Sequence, residues 1–184
     1  MNTNEITLRQ LFTQPEIPCL HIEDAPDFPH RGFYHDVTRG KIPTVENVKQ
    51  LIDLLAYYKI NSLQLYVEHT YEFRECQKLH ASTGKMTAAE MKEIGNYCHE
   101  NFIDFIPSLS TFGHLYELLN QEEYRHLRIF REESPILPNF WRARMRHHTI
   151  DPRQEESFPI IASLIDQFAH CFTSESFNIC CDET

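Results

Sequence analysis

The sequence predicts an α/β fold in which parallel strands are joined by amphipathic helices. Apolar residues alternate with a period of two in four short stretches and recur at helical spacing in three longer ones between them. The order is therefore β-α-β-α-β-α-β, and such alternation means right-handed crossovers between parallel strands. The residues at the strand ends include acids, histidines and an arginine, and parallel α/β folds collect their chemistry there. Two architectures fit the pattern: a small open doubly wound sheet, or part of a (β/α)8 barrel. No Gly-rich phosphate loop follows the first strand, which counts against a nucleotide-binding version.

The elements follow in order. "RGFYHDV" is the first strand, with Phe33, His35 and Val37 on one side and Tyr34 and Asp36 on the other. A helix then starts at the N-cap Thr44, and Val45, Val48, Leu51, Ile52 and Leu55 make its apolar stripe. The second strand sets Leu63, Leu65 and Val67 against Gln64, Tyr66 and Glu68. Thr87 and Glu90 form a capping box for the next helix, whose face runs through Met91, Ile94, Cys98 and Phe102. "IDFIPSLSTFGH" is a third strand running into a loop. Residues from about 110 to 150 are irregular, with Pro135 and Pro138 as breakers and a short helix at "HLYELL". The third long helix carries Ile160, Leu164, Ile165 and Phe168, and either Pro152 or Pro159 fits its first turn. "FNICCDE" is the last strand.

The 184 residues carry a net charge of −10, from 27 acids against 17 bases, which argues against a nucleic-acid or anionic-membrane partner. No apolar run reaches the length of a membrane span, and the N-terminal residues lack a secretory pattern. Cys19, Cys76, Cys98, Cys171, Cys180 and Cys181 form no C-x-x-C pair. They are expected to be reduced thiols, mostly buried as small apolar groups, in a cytoplasmic protein.

The strand ends give a short list: Asp36 and Arg39, with Arg31 at the start of that strand; Glu68 and His69; Ser108, Ser110 and His114; Asp182 and Glu183. Each has a plainer reading. An Asp-Glu dipeptide is commonly a solvated turn, His114 after Gly113 can cap a helix, and Arg31 with Asp36 can form an ordinary ion pair. His147 and His148 are adjacent and lack the i, i+4 spacing of a zinc helix, so no metal is expected.

Several stretches together resemble the family 20 glycoside hydrolases, the β-N-acetylhexosaminidases. "FPHRGFYHDVTRGKIPT" is similar to that family's opening strand, "KINSLQLYVEH" to its second, "FIPSLSTFGHL" to its third, and "FNICCDET" to the strand ending in Asp-Glu. "TLRQLF" resembles the helix closing the family's preceding small domain. The likeness is collinear over the chain and closer to a divergent bacterial branch. Cys180 and Cys181 stand where the family usually has Gly-Gly, and Val67 and Glu68 where it commonly has Asp-Asp.

The resemblance implies the barrel: residues 1–29 as the tail of a small α/β domain with its linker, and 30–184 as the first half of a (β/α)8 catalytic domain, about four β/α units. It implies removal of a terminal β-linked N-acetylhexosamine (GlcNAc or GalNAc) by retaining catalysis, with the substrate's own 2-acetamido oxygen as nucleophile. In that scheme Glu183 is the acid/base and Asp182 orients the acetamido group. His114 and Glu68 are coupled to the acid, and Arg31 binds ring hydroxyls. A general acid has to hold its proton near neutral pH, which calls for burial or a neighbouring anion. No cofactor or metal is implied.

A half-barrel has two open edges and, on this reading, an uncovered apolar inner face. The resemblance places the rest of the sugar pocket in the family's other half, so the 184 residues alone are expected to be inactive; the open edges and uncovered face lead them to self-associate, the simplest form being a two-fold homodimer. The alternative is a non-catalytic carbohydrate-binding or assembly module derived from a barrel half. An esterase or phosphatase is disfavoured by the lack of a G-x-S-x-G elbow or a phosphate loop.

Overall fold

The computed structural model describes residues 11, 16, 19–132 and 140–183, at 140, 141 and 143 by their backbone alone. The "TLRQLF" segment apart from Leu11, and both Pro135 and Pro138, lie outside the described residues. The elements are β1 (Gly32–Asp36), α1 (Val45–Tyr57), β2 (Ser62–Val67), α2 (Gln77–Thr83), α3 (Ala88–Glu100), β3 (Asp104–Leu109), α4 (Tyr116–Leu119), α5 (Phe140–Arg146) and α6 (Ser157–Ala169). Among the described residues no helix is long and apolar enough to cross a membrane.

The three strands form one parallel sheet in chain order, with Phe33 opposite Leu63 and Leu63 opposite Phe105. Leu63, Leu65, Val67, Phe105 and Leu109 face a single helix layer and share a core with Ile52, Met91, Ile94, Leu164 and Phe168. Steady winding in one direction, with helices on one face and Asn178 continuing it by bridging to β3, fits part of a barrel. A doubly wound sheet reverses direction and covers both faces.

The caps form as their residues require. The Thr44 hydroxyl accepts from the Asn47 amide, and Thr87 with Glu90 closes a reciprocal capping box. Both α1 and α3 end in a Schellman turn. Ile60 N–H donates to the Leu55 carbonyl and Ile103 N–H to that of Cys98. Lys59 and Phe102 take the left-handed position of these turns, which usually falls to glycine. Helix α6 starts at Ser157, so Pro159 and not Pro152 lies in its first turn. The six cysteines are unbridged; Cys76, Cys98, Cys171 and Cys180 are buried, Cys19 and Cys181 exposed.

Two expectations are corrected. The fourth strand is reduced to one parallel bridge, Asn178 opposite Ser108, in which Asn178 N–H donates to the Pro107 carbonyl and Leu109 N–H to that of Asn178. Local side-chain bonds displace the rest of the ladder. The Ser174 hydroxyl takes the Ser176 amide, and Asn178 Oδ1 takes the Cys180 amide at 3.1 Å. The inner face is also polar where it was expected to be apolar. Asn178 donates to Gln64, Tyr34 meets Ser108, and Ser110 donates to Tyr66. The helix layer consumes the apolar set of each strand, so the lumen receives the other set.

Candidate active site

The site lies where β1, β2 and β3 end. Glu68 follows β2, and its side chain is 1% exposed. Tyr66 donates to its Oε1 at 3.0 Å and Arg39 to the same oxygen at 3.1 Å; Arg144, from α5, donates to Oε2. Arg144 also reaches Glu117 at 3.3 Å and lies over the Tyr116 ring. A buried carboxylate with three donors, two of them cationic, is fully satisfied. Burial first, then the Glu68 charge, pushes the Tyr66 phenol well above its ordinary range.

Arg39 joins this cluster to the next. Its Nη1 lies 3.1 Å from Asp36 Oδ2, and its Nη2 donates to His114 Nδ1 at 3.3 Å. A guanidinium has only donors, so His114 Nδ1 accepts and the proton of the neutral ring sits on Nε2. That nitrogen stands 3.3 Å from Glu183 Oε2 and 3.7 Å from Asp182 Oδ2. His148 fixes the base of the loop: its Nδ1 accepts the His114 amide at 2.8 Å. The backbone takes the left-handed region at three positions around the site, with φ of 57° at His114, 45° at Cys180 and 51° at Glu183.

The structure thus brings together Glu68, His114, Asp182 and Glu183. It does not bring Arg31 to them. Arg31 sits before β1, at the opposite end of the sheet, and its guanidinium donates to the carbonyls of Lys59, Phe28 and Pro29. The arginine on the rim is Arg39, with its side chain 42% exposed. The Asp182 and Glu183 side chains are 65% and 62% exposed, so the described residues supply the neighbouring anion but not the burial that a general acid calls for. Arg144 escaped the sequence reading because its segment has no period to interpret. Among the described residues, no group of three or more His, Cys, Asp or Glu stands where it could hold a metal ion.

His69, buried beside this cluster, gives the site a pH signature. Burial first, then Arg144 and His80, push its imidazole down to about 4 from 6.5. The fold holds it neutral, while the unfolded chain takes up a proton at 6.5. Its contribution to stability is therefore complete above pH 6.5 and is lost as pH falls towards 4. About 3 kcal/mol is at stake over that window. Urea titrations at pH 7 and pH 4.5 should show a smaller difference for His69→Gln than for the parent chain; an equal difference would assign the acid sensitivity elsewhere.

Comparisons with known proteins identify the family and the fold. The model of glycosyl hydrolase family 20, catalytic domain, matches residues 28–184. A β-hexosaminidase of Akkermansia muciniphila is 35% identical over 124 residues, covering 57% of this chain and 25% of that protein. One of Porphyromonas gingivalis is 28% identical over 184 residues, covering 91% and 23%. The chain therefore spans about a quarter of the length of these relatives. The solved β-N-acetylhexosaminidase of Streptomyces coelicolor A3(2) superposes with a TM-score of 0.71 at 21% identity, over 89% of this chain and 35% of that one, a likeness of fold. With a family model matched from the residues before β1 to the acid pair, this chain belongs to glycosyl hydrolase family 20.

Proposed function

We propose that the protein removes a terminal β-linked N-acetylhexosamine by retaining, substrate-assisted catalysis, with Glu183 as acid/base and Asp182 as the partner of the acetamido group. The observation that carries this reading is the single imidazole, His114, facing both acids. Adjacent carboxylates on a sharp turn diverge, so one can address the glycosidic oxygen while the other addresses the 2-substituent of the same ring. The acetamido oxygen attacks the anomeric carbon, an oxazolinium ion forms, and Glu183 gives its proton to the leaving oxygen. Glu183 then takes a proton from the water that opens the ring. Asp182 stabilises the positive charge developing on the acetamido nitrogen. The hydroxyl-binding role expected of Arg31 is better supported at Arg39, a half-exposed fork of donors on the rim.

The relatives named above are β-hexosaminidases, which supports an N-acetylhexosamine substrate. Asp182→Asn tests the mechanism. It should cost aryl β-N-acetylglucosaminides far more than any residual activity on plain β-glucosides, which have no acetamido group to orient. Equal losses on both would reject the assignment. Self-association is supported by β1, which has no second partner strand among the described residues and whose Phe33 is 39% exposed on the helix side. The polar inner face does not support it.

A further inference from the structure

We propose that Cys180 is a positioning residue for the acid pair. Its thiol, held by Ser108 and Tyr34 on the inner face, fixes the left-handed turn from which Asp182 and Glu183 reach His114. The proposal rests on the catalytic roles given above and adds a residue to them. Asn178 makes the backbone bridge to β3, and Ile179, Cys180 and Cys181 are all that separate it from Asp182. Those three residues must turn the chain towards His114. Within that short span the bend falls at Cys180, whose φ is 45°.

Three contacts hold the bend. Cys180 Sγ lies 3.1 Å from Ser108 Oγ on β3 and 3.5 Å from Tyr34 Oη on β1, and its amide donates to Asn178 Oδ1. One side chain thus ties the turn to the first and third strands across the lumen. Cys180 is 7% exposed, and burial raises its thiol above the ordinary range, so it adds no charge beside Asp182. Glycine would adopt this φ without strain but would have no side chain to anchor. Cys181 is exposed, and its thiol lies 3.6 Å from Thr111 Oγ1, beyond the end of β3, so it makes no comparable link across the sheet.

Aim and stability should therefore separate in the intact protein. Cys180→Gly relieves the strained φ, so its urea midpoint should hold or rise. Its kcat on an aryl β-N-acetylglucosaminide should fall by up to about 10²-fold with KM little changed, because a displacement of about 1 Å costs that much. Cys180→Ser keeps a hydroxyl for Ser108 and Tyr34 and should recover most of the loss. Nuclear Overhauser contacts between the His114 ring and the Glu183 side chain supply a readout that needs no turnover. They should persist in the parent and in Cys180→Ser and vanish in Cys180→Gly. If the parent fails to cleave acetamido sugars while those contacts follow this pattern, the catalytic reading fails and the positioning role stands. Contacts retained in Cys180→Gly, or a midpoint that falls in step with kcat, would overturn the proposal and leave Cys180 a packing residue.

Discussion

In the intact protein, Glu183→Gln is expected to lose ~10²–10⁴-fold in the hydrolysis of β-N-acetylhexosaminides, the usual contribution of a general acid/base. The loss should depend on the leaving group. An aryl oxide of low basicity departs with little protonation, so an aryl glycoside should suffer less in the first step than a disaccharide whose leaving group is an alkoxide. The glutamine keeps the shape and the acceptor oxygen beside His114 Nε2 but has no proton to exchange. KM should therefore change less than kcat. Turnover of a disaccharide and of an aryl glycoside by the same variant would check both points, and near-normal rates on the disaccharide would remove Glu183 from the mechanism.

The second large effect is on stability. Glu68→Ala removes a buried carboxylate that accepts from Tyr66, Arg39 and Arg144. The Arg144 side chain is 9% exposed and, among the described residues, would keep Glu117 and the Tyr116 ring but lose its buried carboxylate partner. Breaking a buried pair in this way costs about 3–5 kcal/mol, because a charge stays behind in a poorly solvated place. Glu68→Gln retains an acceptor and should cost less. The exposed Lys78–Glu123 pair is the control, and its removal should leave the urea midpoint where it was. If Glu68→Ala is as mild as that control, the cluster is not a structural centre.

Much of the frame was legible because it is local. Thr44 and Thr87 announce their helices through side-chain bonds within one turn, and the alternation at Leu63–Val67 is a property of the strand itself. His114 and the acids were legible as residues at strand ends. What was not legible depends on competition or on distance. Asn178 reads as a strand residue, yet its side chain captures the Cys180 amide that a fourth strand would have used. Arg31 and Arg39 look alike in sequence; their separation by the length of β1 puts one on backbone carbonyls and the other on His114. Arg144 meets Glu68 across 76 positions, from a helix with no clear apolar stripe.

The bridge at Asn178 has a consequence for how the molecule can fail. Two backbone bonds tie the acid-bearing segment to β3, whereas β2 is laddered on both sides. Local opening should reach residues 179–183 long before it reaches the sheet. Amide exchange there runs ahead of exchange in Ser62–Val67, and a protease finds that stretch first. A cut before Asp182 would sever both acids from β3 while the helix layer and its three strands keep their own contacts. Aim of the acids and integrity of the sheet are separable in this protein, and a sample that passes every test of foldedness can still have lost the link that aims its acids.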